Sequence, residues 1–437
     1  MSISRSPARG GDDPVVISGI GVVSPYGAGR DRFWSSIRRG ESGVSAITSF
    51  DVSRFACRVA AAVPDPAGDE PSAEAAELLA ASEAGAGRAD PKRYSKASRI
   101  AVQAAREAWV DAGLDTRNAA DRTAGVIVGS GAGGVDVAER QYREFFAEAW
   151  NRVSPYAIPV SIVGMISSEI SIALGLHGVS HVLSTGCTSS TDAVGYAAAA
   201  IRSGDADVIV TGGADACVTP GMIFGFSRMR AVSTAYNDTP SKASRPFDRG
   251  RDGFVLGEGA WMFVLERASR ARARGAVPYA SVDGYGSTCD AYHRVQMDPE
   301  GAEIVRAMSL AIERAGRERS DIGYVNYHGT STQLNDAVEA RCVRALFGDG
   351  PAPPGSSTKS MIGHPQGASG AAGIATAALA LRHRFLPPTI NNDNPDPDSG
   401  LDFIGNEGRE ADVEAALCNC LGFGSKNSAV VLGRIHS

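Results

Sequence analysis

The chain has 437 residues, enough to bury a large core as one domain or two packed halves, and its formal net charge of −6 gives no electrostatic case for a nucleic-acid partner. Its 7 cysteines form no CxxC pair, so neither a disulfide framework nor a zinc pattern is expected. No run of about 18 apolar residues is present, and Met1 to Asp13 lacks an apolar core, so neither a membrane span nor a signal peptide is expected; the predicted location is the cytoplasm.

Val15 to Ile20 reads as a short strand, Gly21 to Gly27 as its turn, and Asp31 to Arg39 as a helix. Pro64 to Asp90 mixes Pro, Asp and Gly around an Ala/Glu helix whose only strong anchors are Leu78 and Leu79, which marks a surface excursion. Ser98 to Ala112 is amphipathic at helical spacing and stops at Gly113. Gly125 to Ser130 is a buried-type strand, after which Gly131 to Gly134 permits close backbone approach. Helices are predicted over Val135 to Trp150 and Val160 to Leu174. In the first, Tyr142, Phe145, Phe146 and Trp150 could line a pocket or pack a subunit interface.

Val179 to Leu183 then feeds Ser184-Thr185-Gly186-Cys187-Thr188-Ser189-Ser190, and an Ala-rich helical stretch runs from Thr191 to Arg202. The order is strand, tight turn, helix, with a cysteine at the corner. Free N–H groups at a helix start favour a thiolate and lower a thiol's pKa from its usual value of about 8.5. Cys187 is therefore a candidate nucleophile; the other reading is a buried small hydrophobe.

Asp207 to Gly213 is a strand entering a glycine turn, Phe247 to Phe254 is polar and turn-rich, and Gly259 to Glu266 is a strand. The Arg/Ala run from Ala268 to Gly275 reads as a solvated segment that could end the first half. A second cycle follows: strand Tyr279 to Gly286, helix Glu300 to Ala315, strand Ile322 to Tyr327, helix Asp336 to Phe347, and Ser357 to Met361 leading into the small-residue helix Ala368 to Arg382. Ala415 to Leu421 and Asn427 to Gly433 close the chain as strands joined by a glycine turn. Cys418 and Cys420 alternate onto one face there, a pattern of packing more than chemistry. The repeated alternation predicts a layered α/β protein of two similar units, 15–275 and 276–435. His328 and His364 each follow a strand or short apolar segment, so both could converge on Cys187, or each could be a satisfied polar residue.

The ordered motifs are more specific than the periodicity. They are Gly19-Ile20-Gly21-Val22-Val23-Ser24-Pro25, Thr185-Gly186-Cys187-Thr188-Ser189, Arg245-Pro246-Phe247-Asp248 with Gly253 and Gly257-Glu258-Gly259, His328-Gly329-Thr330-Ser331-Thr332, Lys359-Ser360-Met361-Ile362-Gly363-His364, and Asn419 followed by Gly422-Phe423-Gly424. With these, Val15 to Arg434 resembles the β-ketoacyl synthase family, the condensing enzymes of fatty-acid and type II polyketide assembly. The resemblance implies a thiolase-like duplicated fold in five α-β-α-β-α layers, with the cysteine in the first half and both histidines in the second. It also implies a dimer and a Cys-His-His site of the elongating class. Cys187 would take an acyl chain from the phosphopantetheine arm of acyl carrier protein, and the Cys187 and Phe423 N–H groups would form the oxyanion hole. His328 and His364 would stabilise the enolate left when malonyl carrier protein loses CO₂. The resemblance further assigns Lys359 and Glu339 to a mutually paired, orienting set of charges, Thr330 and Thr332 to the malonyl pocket, and Phe423 to a gate. It implies no metal and no tightly bound cofactor, and either a homodimer or a heterodimer with a chain-length-factor-like ketosynthase subunit.

Several positions depart from the family pattern. Asn326-Tyr327-His328 stands for Asn-Ala-His, His364-Pro365-Gln366-Gly367-Ala368-Ser369 for His-Leu-Leu-Gly-Ala-Ala, and Gly422-Phe423-Gly424-Ser425-Lys426-Asn427 for Gly-Phe-Gly-Gly-Thr-Asn. Tyr327 adds bulk beside a catalytic histidine, and Lys426 could meet carrier phosphate or face solvent. Because Cys187, His328 and His364 are all retained, the departures point to a changed acyl pocket in a specialised polyketide or polyene pathway. A housekeeping fatty-acid synthase is the alternative, with an acyltransferase or a noncatalytic synthase subunit behind it. Cys187 stands where a chain-length factor usually has glutamine. A degradative thiolase would need a C-terminal Cys-x-Gly that Cys418 and Cys420 do not supply, and Gly19-Ile20-Gly21 lacks the rest of a dinucleotide loop.

Overall fold

A computed structural model describes residues 13–64, 94–114, 123–348, 350–396 and 400–436. The strands that position the site are β1 (Val15–Ser24), β2 (Gly125–Gly129), β3 (Ser180–Leu183), β4 (Val208–Ala216), β5 (Glu258–Arg267), β6 (Ala280–Cys289), β7 (Tyr324–Asn326), β8 (Gly355–Ser356), β9 (Ala415–Gly422) and β10 (Lys426–Gly433). The main helices are α1 (Arg30–Arg38), α2 (Lys96–Asp111), α3 (Val135–Phe146), α4 (Met165–Leu174), α5 (Ser189–Ser203), α6 (Ala302–Arg314), α7 (Gln333–Phe347) and α8 (Ser369–His383).

The first five strands lie in the order β1-β5-β4-β2-β3 and the second five in the order β6-β10-β9-β7-β8. In each set the last strand in sequence runs antiparallel to both its neighbours, and the remaining pairs are parallel. The two sets touch where β1 and β6 pair antiparallel at Val16–Ser281 and Ile17–Ala280. Helices α5 and α8 pack side by side and contact strands of both sets. Every residue of α8 up to Leu381 is buried. Outside them, α2 and α4 share an apolar core with the first set, and α6 and α7 do so with the second. Helix, sheet, helix, sheet and helix thus follow one another in the five expected layers.

Glycines explain where the observed elements differ from the sequence expectations. Strand β1 does not turn at Gly21 but runs on to Ser24. A Cβ on Gly19 would overlap the Ala108 carbonyl and one on Gly21 the Ala104 carbonyl, so these glycines let α2 lie directly on the strand. Strand β4 likewise continues through Gly212 and Gly213 to Ala216. Gly213 and Gly129 abut Ser190 and Ser189, which seats the helix behind Cys187 against the sheet. The helix predicted over Val135 to Trp150 ends at Phe146, with a separate 3-10 turn over Trp150–Arg152. The one predicted over Val160 to Leu174 is divided by Gly164 into a short helix, Ala157–Ser161, and α4. The excursion expected up to Asp90 lies outside the described residues beyond Pro64.

Candidate active site

Cys187 sits in a single 3-10 turn, Gly186–Thr188, between β3 and α5. Gly186 has φ 71, a left-handed conformation that suits glycine. The Thr185 N–H donates to Ser189 Oγ at 2.9 Å, and that hydroxyl donates to the Gly186 carbonyl at 2.5 Å, so the corner is braced from the first residue of the helix. Cys187 is 6% exposed. Burial pushes its thiol up to about 11, against the opposing pull of the Phe423 N–H and the Lys359 charge. The lowered pKa expected from a helix N-terminus is not what this site gives, because desolvation of the thiolate outweighs the local dipoles. The Phe423 N–H points at the sulfur and favours its thiolate.

His328 follows β7, and the Glu339 carboxylate of α7 accepts the His328 and Gly329 N–H groups at 2.7 and 2.7 Å. His364 follows the short helix Lys359–Ile362; its N–H donates to the Val255 carbonyl at 2.7 Å, and its carbonyl accepts from Gly257 at 3.0 Å. The two imidazoles meet edge to face, 5.4 Å apart. One donor atom from each of Cys187, His328 and His364 lies within 4.8 Å of the others. A soft metal ion could use the same three donors. Both rings are held neutral, their pKa values pushed well below the usual histidine range first by burial and then by the Lys359 charge.

Two contacts at these rings were not anticipated. Ser369 Oγ is 2.8 Å from His364 Nδ1. Cys420 Sγ is 3.5 Å from His328 Nδ1 and 3.1 Å from the Cys187 carbonyl oxygen. Cys420, expected to pack, therefore belongs to the site, whereas Cys418 points to the Gly373 carbonyl at 3.8 Å. The signal that could have found Cys420 is its alternation with Leu421 immediately before the Gly422-Phe423-Gly424 motif.

Lys359 and Glu339 are both buried near the histidines, but no contact ion pair joins them among the described residues. Glu339 is instead satisfied by the two N–H groups above and by Asn419 Nδ2 at 2.8 Å. Burial raises its carboxyl to about 7 against the hydrogen bonds that hold it down, and lowers the Lys359 ammonium against nearby acidic groups that include Glu339. A cavity of about 320 Å³ opens onto Cys187, His328, His364, Thr330 and Thr332, with Phe423 at its edge. The Thr330 and Thr332 hydroxyls hydrogen-bond each other at 2.9 Å. Met229, Val295, Leu334 and Phe423 line the cavity and are exposed, which gives it an apolar rim.

The departures fall in different places. Gln366 reaches the cavity with φ 44, at the turn that precedes α8. Tyr327 does not crowd His328: its ring packs at 5.1 Å from Phe247 and 5.7 Å from Phe403. Ser425 has φ 62 and is buried; its hydroxyl donates to the His293 carbonyl at 2.9 Å and accepts the Tyr292 and His293 N–H groups at 3.2 and 3.1 Å. The turn that carries Phe423 is thereby tied to the 290–297 segment, whose Val295, Gln296 and Met297 also line the cavity. Lys426 is half-buried in the β9–β10 hairpin. Tyr142, Phe145, Phe146 and Trp150 are exposed and line no part of this cavity.

A thiol, two neutral imidazoles and an N–H aimed at the sulfur, set between the repeated halves of a thiolase-like fold, define a condensing enzyme. The chain belongs to the β-ketoacyl synthase family: the N-terminal domain of that family matches residues 12–271 and its C-terminal domain residues 279–393. It is a transferase of the class that performs decarboxylative Claisen condensation. The chain is 40% identical over 425 residues to 3-oxoacyl-[acyl-carrier-protein] synthase 2 of Coxiella burnetii, covering 96% of this chain and 98% of that one. It is 39% identical over 438 residues to the tetracenomycin polyketide synthase ketoacyl synthase alpha subunit of Streptomyces glaucescens, covering 98% of each. Among solved structures, the ishigamide ketosynthase/chain length factor superposes with TM-score 0.87 at 34% identity, over 97% of this chain and 100% of that one. A type II polyketide acyl-carrier protein in complex with its ketosynthase bound to the hexaketide gives TM-score 0.86 at 28% identity, again over 97% and 100%. No helix among the described residues is long and apolar enough to cross a membrane.

Proposed function

We propose that this protein is the catalytic ketosynthase of a type II polyketide or polyene assembly line, extending a carrier-bound acyl chain by two carbons. The observation that carries the reading is the convergence of Cys187, His328 and His364 within 4.8 Å at the cavity floor. Cys187 Sγ attacks the acyl thioester carbon, the carrier's C–S bond breaks, and the thiol proton passes to the departing pantetheine sulfur. The N–H groups of Cys187 and Phe423 face the tetrahedral oxyanion. Malonyl carrier protein then loses CO₂, and the electron pair of the broken C–C bond becomes an enolate. Its oxygen takes N–H hydrogen bonds from His328 and His364, which supply them because both are neutral donors in a dry pocket. The enolate carbon attacks the acyl carbon on Cys187, the thioester to the enzyme breaks, and the thiolate takes up one proton from solvent water. Lys359 and Glu339 set the local field and the His328 backbone; Thr330 and Thr332 take the malonyl unit.

Substrates arrive on the phosphopantetheine of acyl carrier protein, and the apolar rim of Met229, Val295, Leu334 and Phe423 suits such an arm. We assign the chain two halves, 15–275 and 276–435, on the repeated strand order. The protein works as a dimer, with itself or with a chain-length-factor-like subunit, and in the cytoplasm, where a reducing environment keeps Cys187 as a thiol. A housekeeping fatty-acid synthase remains the second reading, favoured by the 40% identity to the Coxiella enzyme. Gln366 in the cavity wall, a polar side chain where that class has an apolar one, supports the polyketide reading.

Intact mass spectrometry of carrier-bound products separates them. The protein is given acyl- and malonyl-carrier protein, alone and with a ketosynthase-like partner, with Cys187→Ala as control. A two-carbon β-keto extension that needs the partner supports the polyketide reading, and extension by the chain alone on saturated acyl groups supports the housekeeping one. Acylation of Cys187 without any CO₂ release would replace both by acyl transfer.

A further inference from the structure

A neutral imidazole has one N–H, so His364 can donate to an enolate oxygen only in one of its two tautomers. Ser369 is the first residue of α8, one 3-10 turn beyond His364, and is 3% exposed. Its Oγ lies 2.8 Å from His364 Nδ1. Two arrangements are conceivable. The hydroxyl can donate to an unprotonated Nδ1, or a protonated Nδ1 can donate to the hydroxyl oxygen. The second would leave the hydroxyl hydrogen in a buried position where, among the described residues, His364 is its only partner. A buried donor without an acceptor is the costlier state, so the first arrangement is favoured.

We propose that Ser369 is a positioning residue for malonyl decarboxylation: by donating to His364 Nδ1 it fixes the ring's single proton on Nε2, the nitrogen left to face the enolate. The inference rests on the elongating function argued above and deepens it, because it makes the two histidines unequal. The partner of His328 is the Cys420 thiol, 3.5 Å from Nδ1 and also 3.1 Å from the Cys187 carbonyl. One weak S–H divided between two acceptors holds a tautomer less firmly than an O–H with a single one. His364 is the committed donor, and the tautomer of His328 is the less firmly held of the two. Ser369 stands where the family pattern has alanine, so the device is a feature of this chain.

The test compares wild type with Ser369→Ala and Ser369→Thr, following acyl loading of Cys187 and CO₂ release from malonyl-carrier protein separately, with nitrogen-15 NMR of histidine-labelled enzyme. The expected result is a wild-type His364 protonated on Nε2 and a tautomer mixture in Ser369→Ala. With it, kcat for CO₂ release falls about tenfold at unchanged KM, acyl loading does not change, and Ser369→Thr restores the rate. A wild-type His364 protonated on Nδ1 overturns the proposal, as does undiminished CO₂ release in Ser369→Ala, a parallel fall in acyl loading, or a threonine variant as slow as alanine. If wild-type enzyme loads Cys187 and never releases CO₂, the elongating function falls and the proposal with it. If wild type releases CO₂ and only the variants fail to behave as described, the proposal falls alone.

Discussion

At the scale of single residues, the resting Cys187 is a thiol. With its pKa at about 11, roughly one molecule in ten thousand carries the thiolate at pH 7. Helix-start N–H groups, the Phe423 N–H and the Lys359 charge all favour the thiolate, yet burial wins. Alkylation by iodoacetamide reads this balance, because the thiolate is the reacting species. The Cys187 peptide, followed by mass spectrometry, is expected to react about tenfold faster for each pH unit from 7 to 10. A plateau near pH 8.5 would mean that the local dipoles outweigh burial. Cys187, His328 and His364 were all legible from motifs, since each sits at a glycine-marked corner. Ser369 and Cys420 were not. Cys420 is 233 residues from the carbonyl that it touches, and only the closed fold brings the two together.

At the scale of elements, the site is aligned by the approach of α5 and α8, which begin just after Cys187 and His364 respectively. Their small residues are the means of that approach. A Cβ on Gly370 would overlap Thr191 Oγ1 of the facing helix. Gly370→Ala is therefore expected to cost about 1–3 kcal/mol through overpacking, read as a lowered Tm. It should also slow condensation at temperatures where the variant is fully folded, because the strain falls on the helix that carries the His364 turn. Normal activity in a folded variant would show that the two helices have slack. Ser425 joins two loops in the same way. Ser425→Gly relieves a left-handed serine at φ 62 but removes three hydroxyl hydrogen bonds. The expected outcome is a small change in global stability with faster hydrogen exchange over 292–296, and unchanged exchange there would show that Ser425 does not couple the two loops. The same ambiguity of glycine limited the sequence reading. Gly21, Gly212 and Gly213 looked like turns, but they are mid-strand positions where a helix or sheet comes too close for a side chain. The partner that makes this clear is distant in sequence.

At the scale of the molecule, the repeated strand order leaves the ends of the two sheets unequal. Beside β8, Gly355 pairs with Phe403, so that end is covered by the chain itself. At the other end β3 is exposed at Ser180 and His181 and, among the described residues, pairs only with β2. The Val126 N–H donates to the Val179 carbonyl and the Ser130 N–H to the Leu183 carbonyl, so the odd-numbered residues face the sheet interior. Ser180 and Val182 consequently present their backbone groups outward. An open edge of this kind invites another strand. Against it packs α4 with exposed Ile172, and on through the Ala157–Ser161 helix to α3 the chain carries exposed Tyr142, Phe145, Phe146, Trp150 and Ile158. Of the two roles that the sequence allowed for the aromatic group, this placement favours the subunit interface. A proline at 182 would remove one outward N–H while sparing the bonds to β2. Val182→Pro is therefore expected to remain folded by circular dichroism and to sediment as a monomer under conditions where wild type is a dimer. A monomeric wild type would show that the edge is covered some other way, and an undisturbed dimer in the variant would place the interface elsewhere on the surface.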